Sequence, residues 1–196
     1  MTKTTKTKPR SGQATKPPVD RPARLTDQFR ELRLPSFRDH FQQSATRAAT
    51  ENLGHLDYLS ELTTLECEAR REGRIKRLMT RSKLPLDKSW ESFEFNRLPL
   101  SVKRQLESLR DGSFLDRREN VLVFGKPGSG KSHALCALAQ QLIYQGHSML
   151  FTTCSLLVQQ LLIAKRDLRL PKLIKQLSTF EGLIIDDLGY VQQSRE

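Results

Sequence analysis

Eight consecutive residues, 125–132, have the types and spacing of a phosphate-binding loop. They read G-K-P-G-S-G-K-S and stand between an apolar segment and an apolar helical pattern, which is the context that the motif G-x-x-x-x-G-K-S requires. Glycines there allow backbone torsions that turn successive N–H groups toward phosphates at the positive end of a helix. An ordinary glycine-rich turn does not explain the lysine and serine together. The predicted nucleotide-binding residues are Gly125, Lys126, Pro127, Gly128, Ser129, Gly130, Lys131, Ser132 and His133.

Each polar residue of this predicted site has an expected role. Lys131 should reach the β- and γ-phosphates of ATP, and the Ser132 hydroxyl should bind Mg²⁺. Asp186 ends the apolar run "GLIID", at the carboxyl end of a predicted strand, where open α/β sheets bind ligands. We expect Asp186 to be a Mg²⁺ ligand through bound water, and Asp187 to polarise the attacking water. Lys131 and Asp187 are thus the predicted catalytic residues. The alternative is a pair of aspartates that only ends a strand and caps a turn.

The elements that must position these residues follow from apolar patterning. We predict buried strands at 121–124, within "SMLFTTCSLL" and within "GLIIDD", and helices at 155–166 and 171–178. This alternation predicts an α/β fold of the P-loop NTPase type, with a three-layer αβα core, in residues 119–196.

The residues before this core divide into three predicted segments. Residues 1–24 are rich in Lys, Thr and Pro and are expected to be a disordered basic tail. Residues 25–83 are expected to form a small all-helical domain, in which Pro35 begins one helix and Pro85 follows another. Residues 84–118 contain Trp90, Phe93 and Phe95 and are expected to be a connector, docked on the next domain by these rings, followed by a short helix.

Charge indicates a polyanionic partner. The chain has 33 Lys+Arg against 22 Asp+Glu, a formal net charge of +11, so nucleic acid is the first partner to consider, ahead of a membrane surface. The alternative is a merely basic soluble protein. One helix face carries an arginine stripe at i, i+4, i+7 and i+11, and the predicted helices at 155–178 carry a second basic cluster. DNA contact and a solvated face are the alternatives for both. The candidate DNA-binding residues are Arg70, Arg74, Arg77, Arg81, Lys165, Arg166, Arg169, Lys172 and Lys175.

The apolar runs and the cysteine spacing argue against a membrane protein, a secreted protein and a cysteine-based metal site. No apolar run approaches the roughly 18 residues that a membrane span needs, and the N-terminus lacks a signal core. We therefore expect a cytoplasmic protein with no membrane partner. The three cysteines are far apart and form no CxxC pair, so we expect reduced thiols and no cysteine-based metal site.

From about Leu32 to Glu196 the sequence resembles the IstB family, ATP-binding helpers of insertion-sequence transposition that are similar to DnaC helicase loaders within the AAA+ class. The stretches "SKLPLDKSWESFEF", "ENVLVFGKPGSGKSHALCALAQQLI" and "LLVQQLLIAKRDLRLPKLIKQLSTFEGLIIDDLGY" carry the resemblance. It implies an oligomeric ATPase that binds DNA and presents target DNA to a transposase. Because phosphate contacts position a protein without reading sequence, we expect the basic surfaces to bind duplex DNA with little sequence preference. Asp187 stands where many AAA+ relatives carry glutamate.

The resemblance also implies features that would lie beyond Glu196: a sensor residue on a fourth strand, a fifth strand and an arginine finger. We therefore expect a truncated ATPase that does not turn ATP over alone. In the AAA+ sheet order, the missing strands flank residues 121–124, which would then lack ladder partners. In the alternative strand order of P-loop proteins, residues 121–124 pair directly with the strand that ends at Asp186, so they would have a ladder partner. The family resemblance argues against that order.

Three functions remain as alternatives. The first is an ATP-dependent, DNA-binding helper of transposition. The second is a helicase-loader-like protein, or an adaptor that binds DNA or a partner without ATP turnover. The third, a small-molecule kinase, gives the basic N-terminal helices no role.

Overall fold

A computed structural model of the 196-residue chain describes residues 20–188, apart from the side chain of Arg97. The chain divides after Arg70 into two compact units. Most of the predicted basic tail lies outside the described residues. Within residues 20–188, no helix combines the length and the apolar character that crossing a membrane requires.

The first unit is helical. It contains α1 (Arg21–Glu31), α2 (Pro35–Thr50) and the first part of α3 (His55–Ser82). Helix α1 begins inside the predicted tail, because the Asp20 carboxylate accepts a hydrogen bond from Ala23 N–H at 3.3 Å and caps the helix. The tail prediction is therefore wrong for residues 21–24.

Aromatic packing joins the helices of the first unit. The Phe29 ring lies with its centroid 5.5 Å from that of Phe37 and 5.3 Å from that of Phe41. Phe41 and Leu62 are buried, and the Tyr58 hydroxyl donates to the carbonyl of Phe41 at 3.3 Å. Burial of these rings supplies the apolar contact that short helices need to be stable.

The second unit contains the rest of α3 and the elements that follow it. They are α4 (Leu100–Ser108), α5 (Ser113–Asp116), α6 (Lys131–Tyr144), β1 (Met149–Thr153), α7 (Cys154–Arg166), α8 (Leu170–Leu177) and β2 (Gly182–Asp186), with a 3₁₀ turn at Phe95–Arg97. Helix α6 is the most buried helix, and its Cys136, Leu142 and Ile143 are fully enclosed.

The sheet has two parallel strands among the described residues. Met149 lies opposite Gly182, and Thr153 opposite Asp186. Helices α6 and α7 both contact β1. Strands β1 and β2 lie where the second and third strands are predicted, and α7 and α8 lie between them as expected. The parallel register brings Thr153 and Asp186 to the same carboxyl edge, which is the edge predicted for ligands.

The first predicted strand is not observed, and to this extent the predicted three-layer core is incomplete within the described residues. Residues 121–124 have no strand structure, and the side chains of Leu122 and Phe124 are 69% and 87% exposed. The sequence signal is the apolar run, but a strand also needs a neighbouring backbone for its hydrogen bonds. No described strand lies beside this segment or along the second edge of β2.

The aromatic segment between α3 and α4 packs on the second unit. Phe93 is buried in a cluster with Leu106 of α4 and Ala134 of α6. The Trp90 and Phe95 rings pack against this cluster, with centroids 4.7 Å apart. The Gln140 amide donates to the carbonyls of Pro85 and Lys88 at 3.1 and 3.2 Å. The segment is thus held at both ends of the buried face of α6.

Candidate nucleotide and nucleic-acid sites

The predicted phosphate loop leads directly into α6. Gly130 is the residue before the helix, with φ of 85°, and Gly128 has φ of 75°. Both torsions are in the left-handed region, which side chains disfavour. At Gly125 a Cβ atom would lie 3.0 Å from the Ser129 Oγ atom. The backbone therefore favours glycine at 128 and 130, and a side chain at 125 would require the Ser129 hydroxyl to move.

The Lys131 side chain lies over its own loop. Its ammonium donates to the carbonyls of Gly125 and Lys126, both at 2.9 Å. An ammonium group enclosed by a glycine loop at a helix N-terminus is a suitable arrangement for binding phosphate. The loop torsions, the helix end and this lysine therefore fit the polyphosphate of a nucleotide.

His133 is engaged by the aromatic segment. Its Nε2 atom lies 3.1 Å from the Ser92 hydroxyl and 3.1 Å from the Ser89 carbonyl. The ring packs edge-on against Phe93, with centroids 5.1 Å apart. A Cβ atom on Gly130 would lie 3.3 Å from the Phe93 ring. Residues 89–93 therefore support the end of the phosphate loop, a role that their sequence does not signal beyond the aromatic content.

Asp186 ends β2 at the carboxyl edge of the sheet, opposite Thr153. Burial raises the pKa of the Cys136 thiol on α6 to about 11, and the charge of Asp186 adds to this shift. A Mg²⁺ site shared by Ser132 and Asp186 stays a prediction.

Asp187 follows β2 directly and lies on the surface. It is exposed and has φ of 58°, and its N–H donates to the Asp186 carboxylate at 3.1 Å. This hydrogen bond occupies one oxygen of Asp186. The catalytic role of Asp187 stays a prediction.

A cavity of the second unit is separate from the 125–132 loop. Its volume is about 360 Å³, and none of residues 125–132 lines it. On one side it is bounded by Asn120 and Val121, on the other by residues 182–185 of β2, and its floor is formed by α6 side chains such as Leu138. The cavity thus lies between Val121 and the edge of β2 that has no described strand beside it.

Three of the four stripe arginines have intramolecular partners. Arg70 donates to the buried Glu66 carboxylate at 2.7 Å and to the Arg33 carbonyl at 2.8 Å. Arg74 donates to the Gly146 carbonyl at 3.0 Å. Arg81 donates to the Thr179 hydroxyl at 3.2 Å, and its guanidinium lies 5.0 Å from the centroid of the Phe180 ring. These contacts give three of the stripe arginines a structural role within the protein. Neither alternative considered from the sequence, a solvated face or DNA contact, included such a role.

The second basic cluster lies on α7, on α8 and on the turn between them. All five of its side chains are exposed, and only Arg166 forms an ion pair within residues 20–188, at 3.0 Å from Asp167. Helix α8 contains no acidic residue. The cluster is therefore a cationic surface that the second unit leaves open to an external anion. Its members are Lys165, Arg166, Arg169, Lys172 and Lys175.

Comparison with known proteins identifies relatives of the same kind. The family described as IstB-like ATP binding protein matches residues 27–196. A putative insertion sequence ATP-binding protein of Sinorhizobium fredii is 38% identical over 174 residues, covering 88% of this chain and 58% of the relative. The putative ATP-binding protein of insertion sequence IS5376 from Geobacillus stearothermophilus is 31% identical, covering 86% and 67%. That of IS21 from Pseudomonas aeruginosa is 30% identical, covering 84% and 62%.

The chain therefore spans 58 to 67% of the length of these three relatives. The family match includes the phosphate loop, both strands and the aspartate pair. By this match, and by the loop geometry that precedes it, the chain belongs to the family of IstB-like ATP-binding proteins.

Proposed function

We propose that this protein binds ATP and duplex DNA as a helper of DNA transposition, and that it presents target DNA to a transposase. The observation that carries the nucleotide part is the glycine loop at the start of α6, with the Lys131 ammonium enclosed by loop carbonyls. The relatives named as insertion sequence ATP-binding proteins support the transposition part. DNA, transposase and self-association into an AAA+ oligomer are the proposed partners.

In this proposal the residues of the site have separate tasks. Lys131 leaves the Gly125 and Lys126 carbonyls and binds phosphate oxygens, while loop N–H groups hold the rest of the polyphosphate. Ser132 and Asp186 hold Mg²⁺, which would neutralise charge on the phosphates. Asp187 orients the water for hydrolysis. His133 stays with Ser89 and Ser92 and positions the loop.

Duplex DNA binds in this proposal on the α7–α8 cations. They are exposed, and four of the five have no acidic partner within residues 20–188. Contacts to phosphates position a protein without reading sequence, so little sequence preference is expected. Cytoplasmic localisation belongs to the same proposal, because the DNA targets of transposition are there.

Fluorescent ATP binding tests the nucleotide part. The native chain should bind Mg-ATP, and Lys131→Ala should lose that binding. Lys76→Ala is the matched control, because it removes an exposed lysine of α3 that is not part of the loop. Equal affinities for the native protein and Lys131→Ala would contradict the assignment of the loop.

One observation favours an adaptor without ATP turnover as the second candidate. The segment 121–124 that enters the loop is exposed and has no ladder partner among the described residues. A loop anchored mainly from α6 holds its amides less rigidly, and rigid placement is what phosphoryl-transfer catalysis requires. DNA-stimulated phosphate release by the native chain, absent in Lys131→Ala, would exclude this candidate.

A further inference from the structure

The turn between α7 and α8 carries a leucine with unusual conformation and exposure. Leu168 has φ of 56° and is 90% exposed, more than any other large hydrophobic residue in the described part of the chain. The other non-glycine residues with positive φ in residues 20–188 are all polar. They are Arg33, Asn52, Lys83, Arg118 and Asp187.

The backbone of this turn would suit glycine better. Leu168 N–H donates to the Lys165 carbonyl at 3.2 Å, and Arg169 N–H to the Ala164 carbonyl at 2.7 Å. This six-to-one bond ends α7 in the motif whose left-handed position is usually glycine, since a Cβ atom is disfavoured there. An exposed leucine gains no burial in return. Neither the local backbone nor packing within the second unit accounts for leucine at this position.

The surroundings of Leu168 are cationic. Lys165 and Arg169 lie within three residues of it along the chain, and Lys172 follows on the first turn of α8; all three are exposed. The one nearby acid, Asp167, is already paired with Arg166. An exposed apolar side chain with unpaired cations before and after it in the chain is complementary to an apolar target that has anions on both sides. Base pairs between two phosphate backbones have that arrangement, whereas an apolar pocket on a protein does not require it.

We propose that Leu168 is a wedge that inserts between two base pairs of the duplex bound by the α7–α8 cations, and partly unstacks them. This inference rests on the DNA binding proposed above. Apolar side chains flanked by basic ones open base steps in this way, and the cost is offset by closer phosphate contacts. Flexible pyrimidine–purine steps open most easily. The wedge would make binding depend on how readily a step unstacks, although no base edge is read.

The experiment uses the full chain and a short duplex with 2-aminopurine at a TA step, because 2-aminopurine becomes brighter when it is unstacked. Anisotropy of a label at the duplex end reports binding separately. The test variant is Leu168→Gly, which suits the positive φ and should keep the turn folded. The control is Leu86→Ala, since Leu86 is 65% exposed but lies in the aromatic segment.

At saturating protein, the native chain and Leu86→Ala should raise the 2-aminopurine signal, and Leu168→Gly should not. A duplex with a mismatch at the same step, which is already unstacked, should bind the native chain about tenfold more tightly than the intact duplex. Leu168→Gly should bind the two duplexes equally.

Two results would overturn the wedge alone: binding by the native chain without a rise in signal, or an equal rise with Leu168→Gly. In the second case Leu168 does not open the base step, and contact with a protein partner becomes the alternative explanation of its exposure. If the native chain shows no binding to duplex DNA at low salt, the proposed DNA function fails, and the wedge fails with it.

Discussion

The arginines of α3 separate into structural and free side chains, and Arg70 gives the sharpest test of that division. Its guanidinium donates to Glu66, whose carboxylate is only 5% exposed and also accepts the Ser36 N–H at 2.9 Å. Arg70→Ala would leave this buried carboxylate with Ser36 as its remaining hydrogen-bond partner. Arg77→Ala removes the same charge from the same helix, but Arg77 has no hydrogen bond or ion pair within residues 20–188.

The expected destabilisation follows from the burial of the two partners. Removing one member of a fully buried ion pair costs about 3–5 kcal/mol, and a hydrogen bond to a charged group contributes about 1.5–3 kcal/mol. The Arg70 side chain is 58% exposed, so water replaces part of the lost contact, and we expect about 2 kcal/mol. With a urea m-value of about 1–2 kcal/mol/M, the midpoint for the first unit should fall by about 1–2 M.

The effect should depend on pH in a defined direction. Burial alone would raise the pKa of Glu66, but the hydrogen bonds from Arg70 and the Ser36 N–H outweigh it and hold the pKa below its ordinary value. A lowered folded-state pKa stabilises above the unfolded value of about 4.3, and this stability is lost as the pH falls through the folded pKa. The difference between native chain and Arg70→Ala should therefore be full at pH 7 and shrink below about pH 4.

Urea unfolding followed by circular dichroism at pH 7 and at about pH 3 measures both quantities. Arg77→Ala should change the midpoint little at either pH, since substitutions of exposed residues usually alter stability by less than about 0.5 kcal/mol. Equal midpoints for Arg70→Ala and Arg77→Ala at pH 7 would refute the structural role of Arg70. In that case the intramolecular contacts would not distinguish Arg70 from Arg77, and the stripe could not be divided into structural and free arginines.

Three further outcomes are expected. In the native chain, iodoacetamide should modify the exposed Cys67 at pH 8 while Cys136, whose pKa burial raises to about 11, reacts only after unfolding; equal modification, measured by peptide mass spectrometry, would contradict the burial of α6. Gly130→Ala should destabilise the second unit by about 1–2 kcal/mol, because φ is 85° and the new Cβ atom would meet Phe93 at 3.3 Å; an unchanged urea midpoint counts against this loop conformation. Amides of residues 121–124 should exchange with solvent much faster than those of β1, and slow exchange by mass spectrometry would reveal a ladder partner.

Local sequence was sufficient to predict most of the elements around the 125–132 loop. The left-handed torsions at 128 and 130, in a loop that leads straight into a helix, favour the glycines that the motif contains. The apolar runs at β1 and β2 predicted their strands, because a buried strand is recognised from a short continuous apolar segment. The family resemblance carried by these stretches agrees with the match over residues 27–196.

Tertiary structure decided what the local pattern leaves open. Residues 121–124 have the apolar signal of β1, yet they form no strand. A ladder depends on a second backbone, often far away in sequence, and the described residues do not provide one. The arginine stripe is equally regular along α3, but Gly146 and Thr179, more than seventy residues away, determine which guanidiniums are engaged. Charge and spacing along one helix identify a face. What that face contacts depends on the surfaces that folding brings to it.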